Sequence, residues 1–460
     1  MNGAFKRSGG YRSPWTRRLV LLIAMVLVLV LVVYAIVSRP PADMLSDEDF
    51  TAVAVSTYSE GPVPTEALVR TGVLSESDAA EIEKIERFFG PLPVVDQPLK
   101  APHKAVRGIY ILDGQNIDQA ISLAEAGHIN AVVIDFKEDN GLRYPSKLPL
   151  AREIGASQNQ PLQDHIGRLK EAGIYVIGRV VCFKDKPLAN ARPELAIADQ
   201  YGNVLGFSGE GGVAFLNPYD TRNWDYFIDV ALEAIEMGAD EIQFDYVRFP
   251  TGRTTSGEMP YFGDPEVIPT RSQAINRFLE TARVLITEKH GVPVAADVFS
   301  IVIASRLDGD VLGQDWNTIG QTGIDSISPM VYPSHYANDA SDHYTGNGQG
   351  TYLGGKLFTK PDLHPFEVTK FALLEGQVAR MYGDYATVRP FLQAFTATYL
   401  PAGYYMEYDA AAIAETIAAV YAAGYDEWLL WSPQALYDEA IFTVESIQDR
   451  PDTAAEPSGS

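Results

Sequence analysis

The sequence predicts an α/β chain folded as a closed (β/α)8 TIM barrel, and three observations carry that prediction. Eight short runs of strand composition follow one another, amphipathic helical stretches separate them, and several of those stretches end in glycine just before the next strand. The runs are VRGIYIL (106–112), NAVVIDFK (130–137), IYVIGRVVCF (174–183), EIQFDYVRF (241–249), VPVAADVFS (292–300), DSISPMVYP (325–333), VRPFLQAFT (388–396) and DEWLLWSP (426–433). Helical stretches such as IDQAISLAEAG, LQDHIGRLKEAG and NWDYFIDVALEAIEMG lie between them, and the link QDWNTIGQTG before the sixth run is short and weakly helical. A doubly wound open sheet is the competing architecture. It calls for a glycine-rich phosphate turn after the first strand, where this chain has DGQNID.

The flanks read differently. Residues 1–18 form a basic tail, and Leu19 to Val37 is a run of 19 uncharged, almost wholly apolar residues. At 1.5 Å per residue such a helix just spans a bilayer core. The positive charges ahead of it place the N-terminus in the cytoplasm. YAIVSRPP makes a poor cleavage site, so an uncleaved signal anchor is expected, with the rest of the chain extracytoplasmic and the protein held in the cell membrane. Residues 38–102, rich in Pro and acid, read as a stalk with one helix candidate near Ser77–Phe89; the barrel is expected over 103–445 and a disordered tail over 446–460.

Charge narrows the functional classes. The formal net charge is −24, and the first 39 residues hold six cations and no acid, so the remainder carries −30. Such a surface repels nucleic acid, and no nucleic-acid partner is expected. It does not repel neutral sugars. The one cysteine, Cys182, sits in an apolar run and excludes a cysteine-based zinc site, and the seven histidines form no HxH or HxxxH pair; neither a metal nor a cofactor is expected.

In a barrel, alternate strand residues point inward and chemistry sits at the C-terminal strand ends. That period turns Val133, Asp135 and Lys137 inward on the second run, Arg179 on the third, Gln243 and Asp245 on the fourth, and Asp297 on the fifth. A buried carboxylate without a partner costs several kcal/mol, so each must be paired, solvated or functional. One of them alone reads as an ion pair, Asp135 with Arg179. Three together read as an acid-lined pocket. The other strand ends add Glu138 after the second run, Arg248 after the fourth, Tyr332 and His335 after the sixth, Gln393 on the seventh and Trp431 on the eighth, a set suited to binding sugar rings and hydroxyls. Paired carboxylates perform glycoside hydrolysis, one protonating the leaving oxygen and the other attacking the anomeric carbon or activating water. Asp245 is expected as nucleophile or base and Asp297 as acid, with Asp135 and Glu138 as substitutes.

The segments RGIYI, VVIDFKED, IGRVVCFKD, FDYVRFP, ISPMVYPSHY and WLLWSP resemble the bacterial putative glycoside hydrolase domain family over roughly residues 103–440. The resemblance implies a TIM barrel related to those of the α-amylase and α-galactosidase type. It also implies a catalytic aspartate at the end of strand four, where Asp245 stands. In the α-amylase pattern the acid after strand five is a glutamate and an arginine lies two residues before the nucleophile; here those places hold Asp297 and Gln243. The expectation is an anchored extracytoplasmic glycoside hydrolase acting on cell-wall or matrix polysaccharide. A non-catalytic carbohydrate-binding surface scaffold is the alternative, and a Mg²⁺-dependent lyase using Asp245 and Asp297 the third.

Overall fold

The computed structural model of the protein describes residues 75–112, 116–341, 343, 345–382 and 384–444. The basic tail, the apolar run 19–37, the first part of the expected stalk and the C-terminal tail lie outside the described residues. Among the described residues no helix is long and apolar enough to cross a membrane.

Eight strands form the barrel: β1 (Arg107–Ile111), β2 (Ala131–Glu138), β3 (Tyr175–Val181), β4 (Glu241–Asp245), β5 (Val294–Phe299), β6 (Ser326–Val331), β7 (Phe391–Gln393) and β8 (Trp428–Trp431). Each pairs in parallel with the next, and β8 returns to β1 through Arg107↔Trp428, Gly108↔Leu429 and Ile109↔Leu430, which closes the ring. A closed sheet has no edge to protect, and its strands are apolar on both faces, as burial under a helical coat demands. The seventh run is broken by Pro390, which has no N–H to give to a ladder. Thr387–Val388 pairs with the start of β6, and β7 resumes the pairing beyond the proline.

Helices α1 (Glu76–Phe89), α2 (Ile117–Glu125), α3 (Leu162–Glu171), α4 (Thr221–Glu236), α5 (Arg271–Ala282), α6 (Pro365–Gly376) and α7 (Ala410–Ala422) include the principal members of the outer layer. Their starts are capped as the sequence dictates. Asp220 accepts from the Arg222 N–H ahead of α4, and Thr270 with Gln273 forms a reciprocal capping box on α5. After α3 the chain reverses at Gly173, whose φ of +74° suits a residue without Cβ. The weakly helical link before β6 holds one short helix, Trp316–Ile319, and two more, Ile301–Ala304 and Arg306–Leu312, precede it.

Part of the segment expected as a stalk belongs to the barrel body. Ser75 caps α1, and at its other end Phe88 and Phe89 pack on Tyr219 and Trp224 at the start of α4, with ring centroids 5.9 Å and 4.9 Å apart respectively. The chain then runs along α5 and its continuation, held where Arg277 donates to the Gly90 carbonyl (2.7 Å) and where the Leu99 N–H donates to the Glu288 carbonyl (2.7 Å).

Candidate active site

One irregularity shapes the C-terminal end of the barrel. The register of β2 on β3 slips between Asp135 and Lys137, leaving Phe136 as an extra residue. Such a bulge re-aims the side chains beyond it. Phe136 is accommodated over Gly178, where any Cβ would meet its ring at 3.0 Å. The expectation that Lys137 points into the barrel is therefore corrected. Its ammonium lies 2.9 Å from Asp185, 2.6 Å from the Val181 carbonyl and 5.4 Å from the ring of Phe227 on α4, between sheet and helix. Glu138 takes the inward place.

Inside the barrel, Arg179 bridges two aspartates. One of its terminal nitrogens lies 2.5 Å from Asp135 and the other 2.5 Å from Asp245, with Nε 3.0 Å from the same Asp245 oxygen. Tyr110 on β1 donates its hydroxyl to the second oxygen of Asp135 (2.5 Å). The other oxygen of Asp245 accepts from the N–H of Tyr246 (2.5 Å), the residue just after β4, with φ +50°. That conformation is strained for a tyrosine, and strain of this kind gathers at functional sites. Burial would push the Arg179 guanidinium down, but Asp135 and Asp245 overcome it and hold its pKa well above the usual arginine range.

Asp297 on β5 accepts from Gln243 Nε2 (2.7 Å), which also reaches Ser328 Oγ on β6 (3.0 Å). The residue is 2% exposed. Burial first, and the charge of Asp245 second, push its carboxyl well above the usual range, so it stays protonated where free aspartate is ionised. Glu138 is also raised, by partial burial and by Asp135, against the pull of Arg143, whose Nη1 lies 2.9 Å from Glu138 Oε2.

An aromatic wall stands beside these acids. Tyr332 stacks on Trp431 with centroids 5.9 Å apart, Phe395 meets Trp431 edge-on at 5.2 Å, and Tyr110 lies 6.3 Å from it. His335 packs edge-on against Tyr332 and is exposed. The remaining two expected residues are engaged elsewhere. Gln393 accepts from the backbone N–H and the hydroxyl of Ser334 and donates to Asp362 and the Phe395 carbonyl, so its polar atoms are spent on holding loops together. Arg248 does not reach Asp245. It binds Glu210 (2.8 Å) and lies over the rings of Tyr246 (4.8 Å) and Phe299 (4.7 Å).

Glu210 is a residue that sequence reasoning misses. It lies in FSGEGG, a stretch with no strand or helix pattern, yet it is buried and gathers Arg248, Lys184 (3.3 Å) and Thr251 (2.6 Å to Oγ1). It thereby ties the long loop after β3 to the loop after β4. A separate cavity of about 450 Å³ lies beside α4, lined by Tyr144, Gln163, Glu233 and Glu236. Glu233 there is engaged by Tyr144, Ser146 and the Lys147 N–H, and none of the barrel acids line the cavity.

A family model described as "Putative glycosyl hydrolase domain" matches residues 106–437. The chain belongs to that family. Among solved structures, a hypothetical protein from Ruminiclostridium thermocellum is 34% identical, covering 41% of this chain and 97% of its own, with a TM-score of 0.37. The glycoside hydrolase domain of PgaB (BpsB) from Bordetella bronchiseptica is 12% identical with a TM-score of 0.51, covering 72% of this chain and 95% of that one. The likeness to PgaB is one of fold. The α-galactosidase TtGalA from Thermus thermophilus is 12% identical with a TM-score of 0.43, covering 77% and 63%. No curated protein matches the chain.

Proposed function

We propose that this family member hydrolyses glycosidic bonds in a cell-wall or matrix polysaccharide, held at the membrane by the apolar run 19–37 with its barrel outside the cytoplasm. The observation that supports it best is Asp245. It ends β4 at the catalytic end of the barrel, accepts only from donors (Arg179 and the Tyr246 N–H), and has carboxyls with raised pKa close by. A glycosidase divides its labour between a carboxylate acting as nucleophile or base and a carboxyl acting as acid. Asp297 and Glu138 are the candidates for the acid. Tyr332 and Trp431 offer the apolar faces on which a sugar ring stacks.

The test is release of reducing ends from a panel of polysaccharides by the full-length protein and by Asp245→Asn. Release by the parent and none by the variant is expected. Binding without release by both proteins would replace the hydrolase with the carbohydrate-binding scaffold.

A further inference from the structure

The bulge at Phe136 brings a second carboxyl to the site, and its surroundings differ from those of Asp297. We propose that Glu138 is the proton donor of the hydrolase, with Arg143 as counter-ion to its conjugate base; this rests on the hydrolase reading above.

A donor needs access to the leaving oxygen, a proton to give, and relief for the charge left behind. Access favours Glu138: its side chain is 27% exposed, whereas Asp135 and Asp297 are 4% and 2% exposed. The proton follows from the surroundings. Asp135 receives Arg179 on one oxygen and the Tyr110 hydroxyl on the other, both of them donors. Partial burial first, and the charge of Asp135 second, raise the carboxyl of Glu138, so it keeps its proton to higher pH than a free glutamate. The charge left behind meets Arg143 at 2.9 Å.

Arg179 bridges Asp135, three residues before Glu138 on the same strand, to Asp245. Of the two glycosidase routes, direct attack by a carboxylate and attack by an activated water, the proposal takes the second. The step then balances as follows. Glu138 gives its proton to the glycosidic oxygen, and the pair of electrons of the breaking C–O bond goes to that oxygen. Water adds its oxygen to the anomeric carbon, and Asp245 takes the water's proton. Solvent afterwards reprotonates Glu138 and receives the proton from Asp245. The charged and titratable groups around Glu138 are Asp135, Arg143, Arg179 and Tyr110.

The test compares full-length parent, Glu138→Gln, Asp297→Asn and Arg143→Gln on polysaccharide and on a panel of 2,4-dinitrophenyl glycosides, whose leaving group needs no proton. Glu138→Gln is expected to lose about 10²–10⁴-fold on polysaccharide, to lose less than about tenfold on the dinitrophenyl glycoside the parent cleaves, and to lose the alkaline limb of its pH–rate profile. Arg143→Gln is expected to move that limb to higher pH, because the cation favours the ionised acid. Equal losses by Glu138→Gln on both substrates, parental activity on polysaccharide, or the leaving-group split appearing in Asp297→Asn instead would overturn the assignment. The infrared difference between parent and Glu138→Gln near pH 6 locates the proton without any substrate. A protonated-carboxyl band in that difference supports the proposal, and a difference without one refutes it. A parent that cleaves nothing in either panel removes the hydrolase reading itself, an outcome separate from the position of the proton.

Discussion

The barrel buries a cluster of charge at each end, and the two are built differently. At the N-terminal end Glu241 binds Arg389 through both oxygens, Tyr175 donates to Glu241 (3.2 Å), and Glu427 lies 3.9 Å from Arg389 while accepting from the Val106 N–H (3.1 Å). The guanidinium there is 1% exposed. At the C-terminal end Arg179 is 16% exposed, one arginine serves two aspartates, and two further carboxyls, Asp297 and Glu138, stand close by. The first cluster is a plug that holds its arginine, the Nε without a partner, between two glutamates. The second opens to water at Arg179 and has an aromatic wall beside it. Burial of charge alone therefore does not mark a site in this fold; carboxyls at an opening beside aromatic rings do.

Exchanging the expected effects tests that contrast. Asp245→Asn should cost about 10³-fold or more in turnover while the thermal midpoint moves little, since Arg179 keeps Asp135; activity and melting measured on the same samples decide it. Arg389→Met should do the reverse. It leaves Glu241 buried and unpaired, a loss of about 3–5 kcal/mol in denaturant unfolding, with the activity of the molecules that remain folded preserved. Trp431→Ala, which removes one face of the aromatic wall, should raise KM roughly tenfold with little change in kcat. An equal fall in kcat would make the wall part of the chemistry.

The smallest expected effect concerns pH. Asp297 has its pKa raised on folding, so the folded protein binds a proton that the unfolded chain releases near pH ~3.9. Its contribution to stability is full below that pH and is lost as pH rises through the folded value. Asp297→Asn has no proton to lose. The thermal midpoint of the variant relative to the parent should thus climb between mildly acidic and neutral pH, and a constant difference would show that Asp297 is ionised in the fold.

How much of this could be read from the sequence depends on whether a local pattern carried it. The eight strands were legible because runs such as AVVIDF and WLLW are apolar on both faces and bounded by turn residues; all eight stand within a few residues of their expected places. Asp135, Arg179, Gln243, Asp245 and Asp297 followed from a period of two and do meet in the barrel. Lys137 and Glu138 did not follow, because one extra residue at Phe136 inverts the period and nothing local announces it. Glu210 and the Glu241–Arg389–Glu427 plug were illegible for another reason. Their arginine partners lie 38 to 148 residues away in sequence and are chosen by the closed ring.

Helix α1 has a consequence for how the protein can be cut and rejoined. Phe88 and Phe89 rest on Tyr219, and Tyr219 on Phe249, the residue after Arg248. A fragment starting near residue 100 would strip two rings from the packing that steadies the loop beyond Asp245, and so injure the enzyme while sparing every strand. A junction just before Ser75 keeps the cap, the helix and the aromatic stack together. The seam at which one protein could be spliced to another lies about thirty residues ahead of the first barrel strand.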